Sequence, residues 1–478
     1  MTGLEEAALP SGIAWIILGA FSVIWIFLGW YLGRNTRTVD DYMLAGRNVG
    51  LALATATAMA TWVTTNTTMA APQFALQLGI WGMVGYALGS VGLVLFAPLA
   101  ERIRRLMPGG FTSGDFIRLR YGNTAWRVFL VISLIYGLGW LISLGMAGGV
   151  LIEALAGIDY RVGMSVILFI CVVYTLLGGL RAVIGTDFVQ TLLILVGVVF
   201  LAWLTIGKVG FADIHSTVSE ERPQLLNLLF PAAIMFLFNN LLFGVGEIFH
   251  SNVWWSRAFA FGQGVGKRAY LLAGLLWLPI PIVAGFVALA TPALGLNVPG
   301  ADMVGPLVAA ELLGLAGAIV VFIVVFSALA SSLDSVLAAT ADLVTRDIYK
   351  GHLRKWADER EVYVAAKTIV VVLGVVTWAV CMLRLGTLGA VLQFLGAFVA
   401  STIMPIVAGL YWRRTNRWGV IAAMVLGTGI GLYSYFAIGF YVAALVSAAI
   451  SMTLVLFSTW LWPKDFQWTS LREESVSS

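Results

Sequence analysis

Charged residues are scarce in this chain. Asp, Glu, Lys and Arg make up 11% of its 478 residues, against about a quarter in a soluble globular protein. With 60% hydrophobic residues, the chain reads as an integral membrane protein. Cysteine is almost missing: Cys171 and Cys381 both sit in apolar runs, which excludes a disulfide framework. The three histidines have no spaced partners, so no transition-metal cluster is expected. A nucleophile–base pairing is also lacking, which argues against an enzyme. The net charge of +4 is too small for a nucleic-acid footprint. Long polar stretches are missing too: the widest connections are 102–126, 207–224 and 341–361, leaving no room for an appended sensor or kinase domain.

What is there is long hydrophobic runs. Windows of about 20 apolar residues, enough to cross a bilayer, fall at 11–33, 50–76, 79–101, 127–154, 161–180, 184–206, 225–256, 268–292, 306–340, 362–383, 386–412, 417–437 and 440–462. That is thirteen. The first lacks a basic leader and a small-residue cleavage site, so it reads as a retained span. If all thirteen cross, 24 of the 28 Lys and Arg residues face one side, leaving only Arg161, Lys208, Arg222 and Arg384 on the other. Cytoplasmic loops attract Lys and Arg. The N-terminus is therefore expected outside and the C-terminus inside, in a plasma membrane of bacterial inner-membrane type.

Polar residues at membrane depth mark function by default. In the ninth window, FSALASSLDSVLAATADLVTRDIYK, the hydroxyls of Ser331 and Ser332 precede Asp334 and Ser335. Hydroxyl oxygens suit a hard cation; Asp334 reads as a direct ligand or a partner of the serines. The second window, TATAMATWVTTNTTMAAPQFALQLG, is rich in β-branched hydroxyl residues and contains Pro72. Both features weaken a helix. An unwound stretch here would free carbonyls around Ala60 to Thr65, while Trp62, Thr64, Thr65, Asn66, Thr67 and Gln77 offer groups to a polar solute. The seventh window has a similar interruption, Pro231 and then FNNLLFGVGEIFHSNVWWSR with Gly244 and Gly246 loosening the helix, and offers Asn239, Asn240, Glu247, Asn252 and Trp254. His250 reads as a gate residue, and Glu247 as a proton carrier or a helix-to-helix anchor. No Arg is expected at depth, which favours a small neutral polar solute over a carboxylate.

Three motifs in order resemble the sodium:solute symporter family: YMLAGRNVG from Tyr42, GGLRAVIGTDFVQ at Gly178–Gln190, and SALASSLDS running to Asp347-Ile348-Tyr349-Lys350. The resemblance implies an all-α membrane fold of the LeuT type, with about 13 transmembrane helices and a 5+5 inverted repeat whose first helix is broken in each half. It divides the chain into an extra helix and loop at 1–48, a first repeat at 49–206, an outer connection at 207–224, a second repeat at 225–412, two further helices at 413–462 and a tail at 463–478. It also implies a principal sodium site made of the carbonyls of Ala60, Val63 and Ala328 and the hydroxyls of Ser331 and Ser332. Asp187 would lie on the ion path or in a further sodium site, or cap the sixth span. FTSGDFIRLRYG from Phe111 and WWSRAFA followed by KRAYLLAGLLWLPIP are similar to the urea and polyamine active transporters within the family.

The function expected is sodium-coupled import of a small polar solute, urea or a related amide first, by alternating access. The partners are that solute, Na+ as the co-transported ion, and membrane lipid. No organic cofactor is expected, and one protomer suffices for transport, with the oligomeric state left open. A proton-coupled symporter of a monocarboxylate or amino acid, a passive channel and a transporter-like sensor are the competing readings.

Overall fold

The computed structural model describes residues 9–34, 36 and 38–477; residues 1–8, Asn35, Arg37 and Ser478, which the domain and charge readings include, lie outside the described residues. The helices are α1 (Ser11–Gly33), α2 (Val39–Leu44), α3 (Leu51–Trp62), α4 (Thr65–Leu78), α5 (Ile80–Ala87), α6 (Ser90–Leu106), α7 (Ser113–Tyr121) and α8 (Asn123–Ala156). Next come α9 (Tyr160–Lys208), α10 (Phe211–Glu221), α11 (Pro231–His250), α12 (Asn252–Ala260), α13 (Val265–Trp277), α14 (Pro279–Leu289) and α15 (Val304–Leu343). The chain closes with α16 (Glu359–Cys381), α17 (Leu388–Ala400), α18 (Ile403–Tyr411), α19 (Arg417–Ala437), α20 (Ala443–Leu461) and α21 (Thr469–Ser477). No strand occurs among the described residues, as hydrocarbon demands of any open segment. Ile16, Phe169, Val196 and Trp203 are more than two-thirds exposed, an apolar outer surface matched to lipid.

Eleven helical segments among the described residues are long and apolar enough to cross a membrane, against the thirteen windows of the sequence. The difference has two sources. α9 is 49 residues long, about 73 Å of helix, and counts once although it exceeds two bilayer cores. It bends at Gly179, where φ is 55° and a Cβ would meet the Tyr42 carbonyl oxygen at 2.5 Å. Only glycine meets both demands. Secondly, α3 is too short to cross alone; it is one half of a broken helix.

That break falls where the hydroxyl-rich sequence predicts it. Val63 (ψ 83°) and Thr64 (ψ 167°) leave helical geometry, and Thr64 caps α4 with Thr67 in a reciprocal capping box. Pro72 sits inside α4 without ending it. The second break differs from expectation. Pro231 opens α11 at its first turn, where its missing N–H costs nothing. Gly244 and Gly246 lie in unbroken helix, and the chain breaks instead at Ser251 (ψ 130°). The glycines serve packing: a Cβ at Gly244 would stand 2.5 Å from the Gly89 Cα, and one at Gly246 2.8 Å from the Val399 carbonyl carbon. The two broken helices meet at their ends, where the Val49 N–H donates to the Ala260 carbonyl at 3.1 Å and the Gly262 N–H to the Val49 carbonyl at 3.0 Å.

Candidate functional site

At the first break the backbone loses its helical donors. The Thr64 N–H, the usual partner of the Ala60 carbonyl, donates to Thr67 Oγ1 at 3.1 Å. The Thr67 N–H turns to Thr64. The Trp62 carbonyl is taken by the Trp277 indole N–H at 2.6 Å and the Thr67 hydroxyl at 3.2 Å. Onto this unwound stretch α15 lays Ser332. Its hydroxyl donates towards the carbonyls of Thr61 (3.2 Å), Val63 (3.5 Å) and Ala328 (3.0 Å), and it is fully buried. Of the expected ligand set, Val63, Ala328 and Ser332 come together. The Ala60 carbonyl belongs to the same freed turn, and the Thr61 carbonyl joins as an addition.

Ser331 faces elsewhere. Its hydroxyl donates to Asp187 Oδ1. Asp187 Oδ2 accepts from Thr57 Oγ1 at 2.6 Å and is paired with Arg257 Nη2 at 3.4 Å. Arg257 also donates from Nε to Thr57 (3.0 Å) and from Nη2 to Thr61 (2.7 Å) and Ser335 (2.7 Å). Asp187 and Arg257 are both fully buried. Two expectations fall here. Asp187 lies well inside helical α9 and is no helix cap, and an Arg does sit at depth. Arg257 looks like a loop residue because hydropathy fades after Trp255. The signal that finds it is the buried acid: an ionised carboxylate in a dry core needs a cation, and WWSRAFA supplies the one that α12 carries inward.

Asp334, read as a ligand or a partner of the serines, bonds to neither. Both its carboxyl oxygens are buried without a hydrogen-bond partner.

The solute candidates divide. Trp62, Thr64 and Asn240, with Tyr86, Trp140, Phe243 and Trp277, enclose a cavity of ≈ 10 Å³, about room for one water. Trp254 stacks edge-on against Trp62 at 5.6 Å and donates its indole N–H to Glu247 Oε2 at 2.9 Å, which favours the anchor reading of Glu247. The Thr65 hydroxyl is buried and unpartnered. The others hold helices together. Asn66 donates to Ser143 of α8 at 3.1 Å, and Thr67 completes the cap. Asn239 joins Gln393 and the start of α20, while Asn252 ties Ala339 of α15 to Ser113 of α7. His250 is held between Ser133 and Thr402. Gln77 is exposed and away from the cavity; the buried glutamine is Gln73, one turn earlier on the inner face of α4, bonded to Thr387 and the Gly389 N–H.

A broken first helix with a serine of a later helix against its freed carbonyls is the arrangement the three motifs imply. The model of the family described as "Sodium:solute symporter family" matches residues 42–427. The chain belongs to this family. It is therefore a multi-pass membrane transporter of the solute-symporter kind and not an enzyme. Among known members, the "Urea-proton symporter DUR3" of Oryza sativa subsp. japonica is 27% identical over 87% of this chain and 63% of its own length. The "Osmoregulated proline transporter OpuE" of Bacillus subtilis is 27% identical over 86% of each. The chain thus spans less than two-thirds of the rice relative. A solved Na+-coupled sialic acid symporter superposes with a TM-score of 0.78 at 18% identity, covering 95% of this chain and 99% of that one. At that identity the likeness establishes the fold, of the LeuT type, that the motifs imply.

Proposed function

We propose that the protein is a sodium-coupled symporter that imports a small neutral polar solute, with urea or a related amide first. The observation that carries the coupling is Ser332 set against the carbonyls of Thr61, Val63 and Ala328. These are neutral, hard oxygens drawn from two helices, and a monovalent cation among them pins the break of α3 and α4 to α15. Coupling is then the difference in ion affinity between the states in which those helices are docked and apart. The aromatic and neutral groups beside the break suit a small polar solute, and the cavity, which takes about one water as it stands, must widen to admit it. Its hydrogen-bonding lining is neutral, Thr64 and Asn240, and Arg257 is engaged with Asp187, so no free cation waits for a carboxylate. The printed function of the rice relative agrees with urea. The proline transporter among the relatives keeps an amino acid as the next solute to try.

A second reading has its own observation. Asp334, buried and without a hydrogen-bond partner, suits a protonated carboxyl, and proton coupling through it is the alternative. We further infer two inverted repeats at 49–206 and 225–412, from the broken helices and the family resemblance, and the N-terminus outside with the C-terminus in the cytoplasm, from the distribution of Lys and Arg.

The test is thermal-shift measurement on purified protein against a panel of ureas, amides and amino acids, with Na+ or choline. A coupled solute stabilises by about 2.7 kcal/mol at a hundredfold excess over its Kd, and only with Na+. Equal stabilisation in choline would overturn sodium coupling, and stabilisation by amino acids alone would overturn urea.

A further inference from the structure

A second cavity, of ≈ 420 Å³, opens where α7, the start of α8 and the π-helical turns Val344–Leu353 after α15 converge. Five cations line it: Arg118, Arg127, Arg346, Lys350 and Lys355. The acid among them is Asp115, which is committed to Arg118 at 3.1 Å and to capping α7. The Nε of Arg118 is buried without a hydrogen-bond partner. Arg346 lies over the Phe111 ring at 3.8 Å, with Asp115, Asp342 and Asp347 close enough to interact with its charge. The start of α8 adds to the field. This 34-residue helix has no side-chain cap and no acid in its first turn, and Asn123, Trp126 and Arg127 of that turn line the cavity. An uncapped N-terminus presents free N–H groups and a partial positive charge.

So many cations around one cavity repel each other and cost stability unless an anion joins them. We infer that this cavity binds a phosphate group, and that its physiological occupant is the headgroup of an anionic lipid. The lipid source is favoured by the residues next in sequence to its lining residues His352 and Lys355. Trp356 is 98% exposed and Leu353 70% exposed, next to Lys355. An exposed Trp with flanking cations suits the headgroup layer of a bilayer. A bound phosphate bridges α7 and α8 to the end of α15, and so stiffens the face of the molecule on which these elements meet.

The experiment uses the full chain in nanodiscs. Melting is followed in phosphatidylcholine discs with increasing phosphatidylglycerol, and separately in pure phosphatidylcholine discs with inorganic phosphate. Arg127→Gln/Lys355→Gln removes two exposed cavity cations without touching the core. Arg360→Gln/Arg417→Gln removes the same charge from exposed positions outside the cavity lining. Wild type is expected to be stabilised by phosphatidylglycerol. The apparent affinity falls roughly thirty-fold in the cavity variant, at about 1 kcal/mol per cation, and little in the control. Stabilisation by millimolar inorganic phosphate alone would keep the phosphate site and overturn the lipid source. No stabilisation of wild type by either anion, or equal loss in both double variants, would overturn the site.

Discussion

Ser332 and Arg257 lie close together on the same break and are expected to fail differently. Ser332→Ala removes the hydroxyl of the proposed ion site and little volume. Losing a hydrogen-bonding or ligand group to a charge costs about 1.5–3 kcal/mol, so sodium-stimulated uptake is expected to fall about tenfold or more while the protein still reaches the membrane. Uptake assays paired with surface quantitation check this, and undiminished sodium stimulation would remove Ser332 from the ion path. Arg257→Gln instead leaves Asp187 buried without its cation. Such a break costs about 3–5 kcal/mol. The double variant Arg257→Gln/Asp187→Asn is expected to recover part of that loss, which a double-mutant cycle of thermal melts measures. Additive losses would show that the two do not act as a pair. The contrast also marks what the sequence could tell. Hydroxyls in an apolar run announce themselves, so Ser331 and Ser332 were legible. Their division of labour was not, because a step of one residue turns a side chain by about 100° around the helix, and only the packing shows which neighbour it meets. Arg257 was missed because it lies past the hydrophobic window on the inward face of a short helix.

Among the elements, both broken helices were legible as breaks, but only one in the right place. At Val63 and Thr64 the β-branched hydroxyls that disfavour helix also cap the next one, so cause and position coincide in sequence. At Ser251 the sequence offers louder punctuation nearby in Pro231, Gly244 and Gly246. Proline at a first turn and glycine at a close crossing both have uses other than breaking a helix. Gly244→Ala tests the packing role. The added Cβ meets α6 at Gly89, and overpacking of this kind costs about 1–3 kcal/mol. A lower melting temperature and reduced uptake are expected, since Gly244 also lines the small cavity. An unchanged melting temperature would mean α11 moves aside freely. Removing the cap of α4 by Thr64→Val is expected to cost about 1 kcal/mol, again read from thermal melts.

For the whole molecule, fold class followed from the absence of charge and the length of the apolar runs, because a bilayer leaves helices little competition. The number of crossings is harder to read, since α9 joins two helical stretches through the non-helical Gly179, together longer than two bilayer cores, and α3 is shorter than one. The substrate was least legible. A cavity lined by Trp62, Trp140 and Trp277 is built by five helices, α3, α5, α8, α11 and α13, spread along the sequence, and aromatic residues in membrane helices are ordinary until they converge. Energetically, one Na+ entering down a potential of 100 mV releases about 2.3 kcal/mol, enough to concentrate a neutral solute about fifty-fold. The central claim is that the oxygens around Ser332 couple solute movement to sodium. It is tested most directly by radiolabelled urea uptake into proteoliposomes at fixed pH, driven by an inward Na+ gradient or by the same gradient of choline. The account predicts accumulation above the outside concentration with Na+ and none with choline, and loss of the sodium-driven accumulation in Ser332→Ala. Accumulation in choline driven by an acid-outside gradient, unaffected by Ser332→Ala, would contradict it.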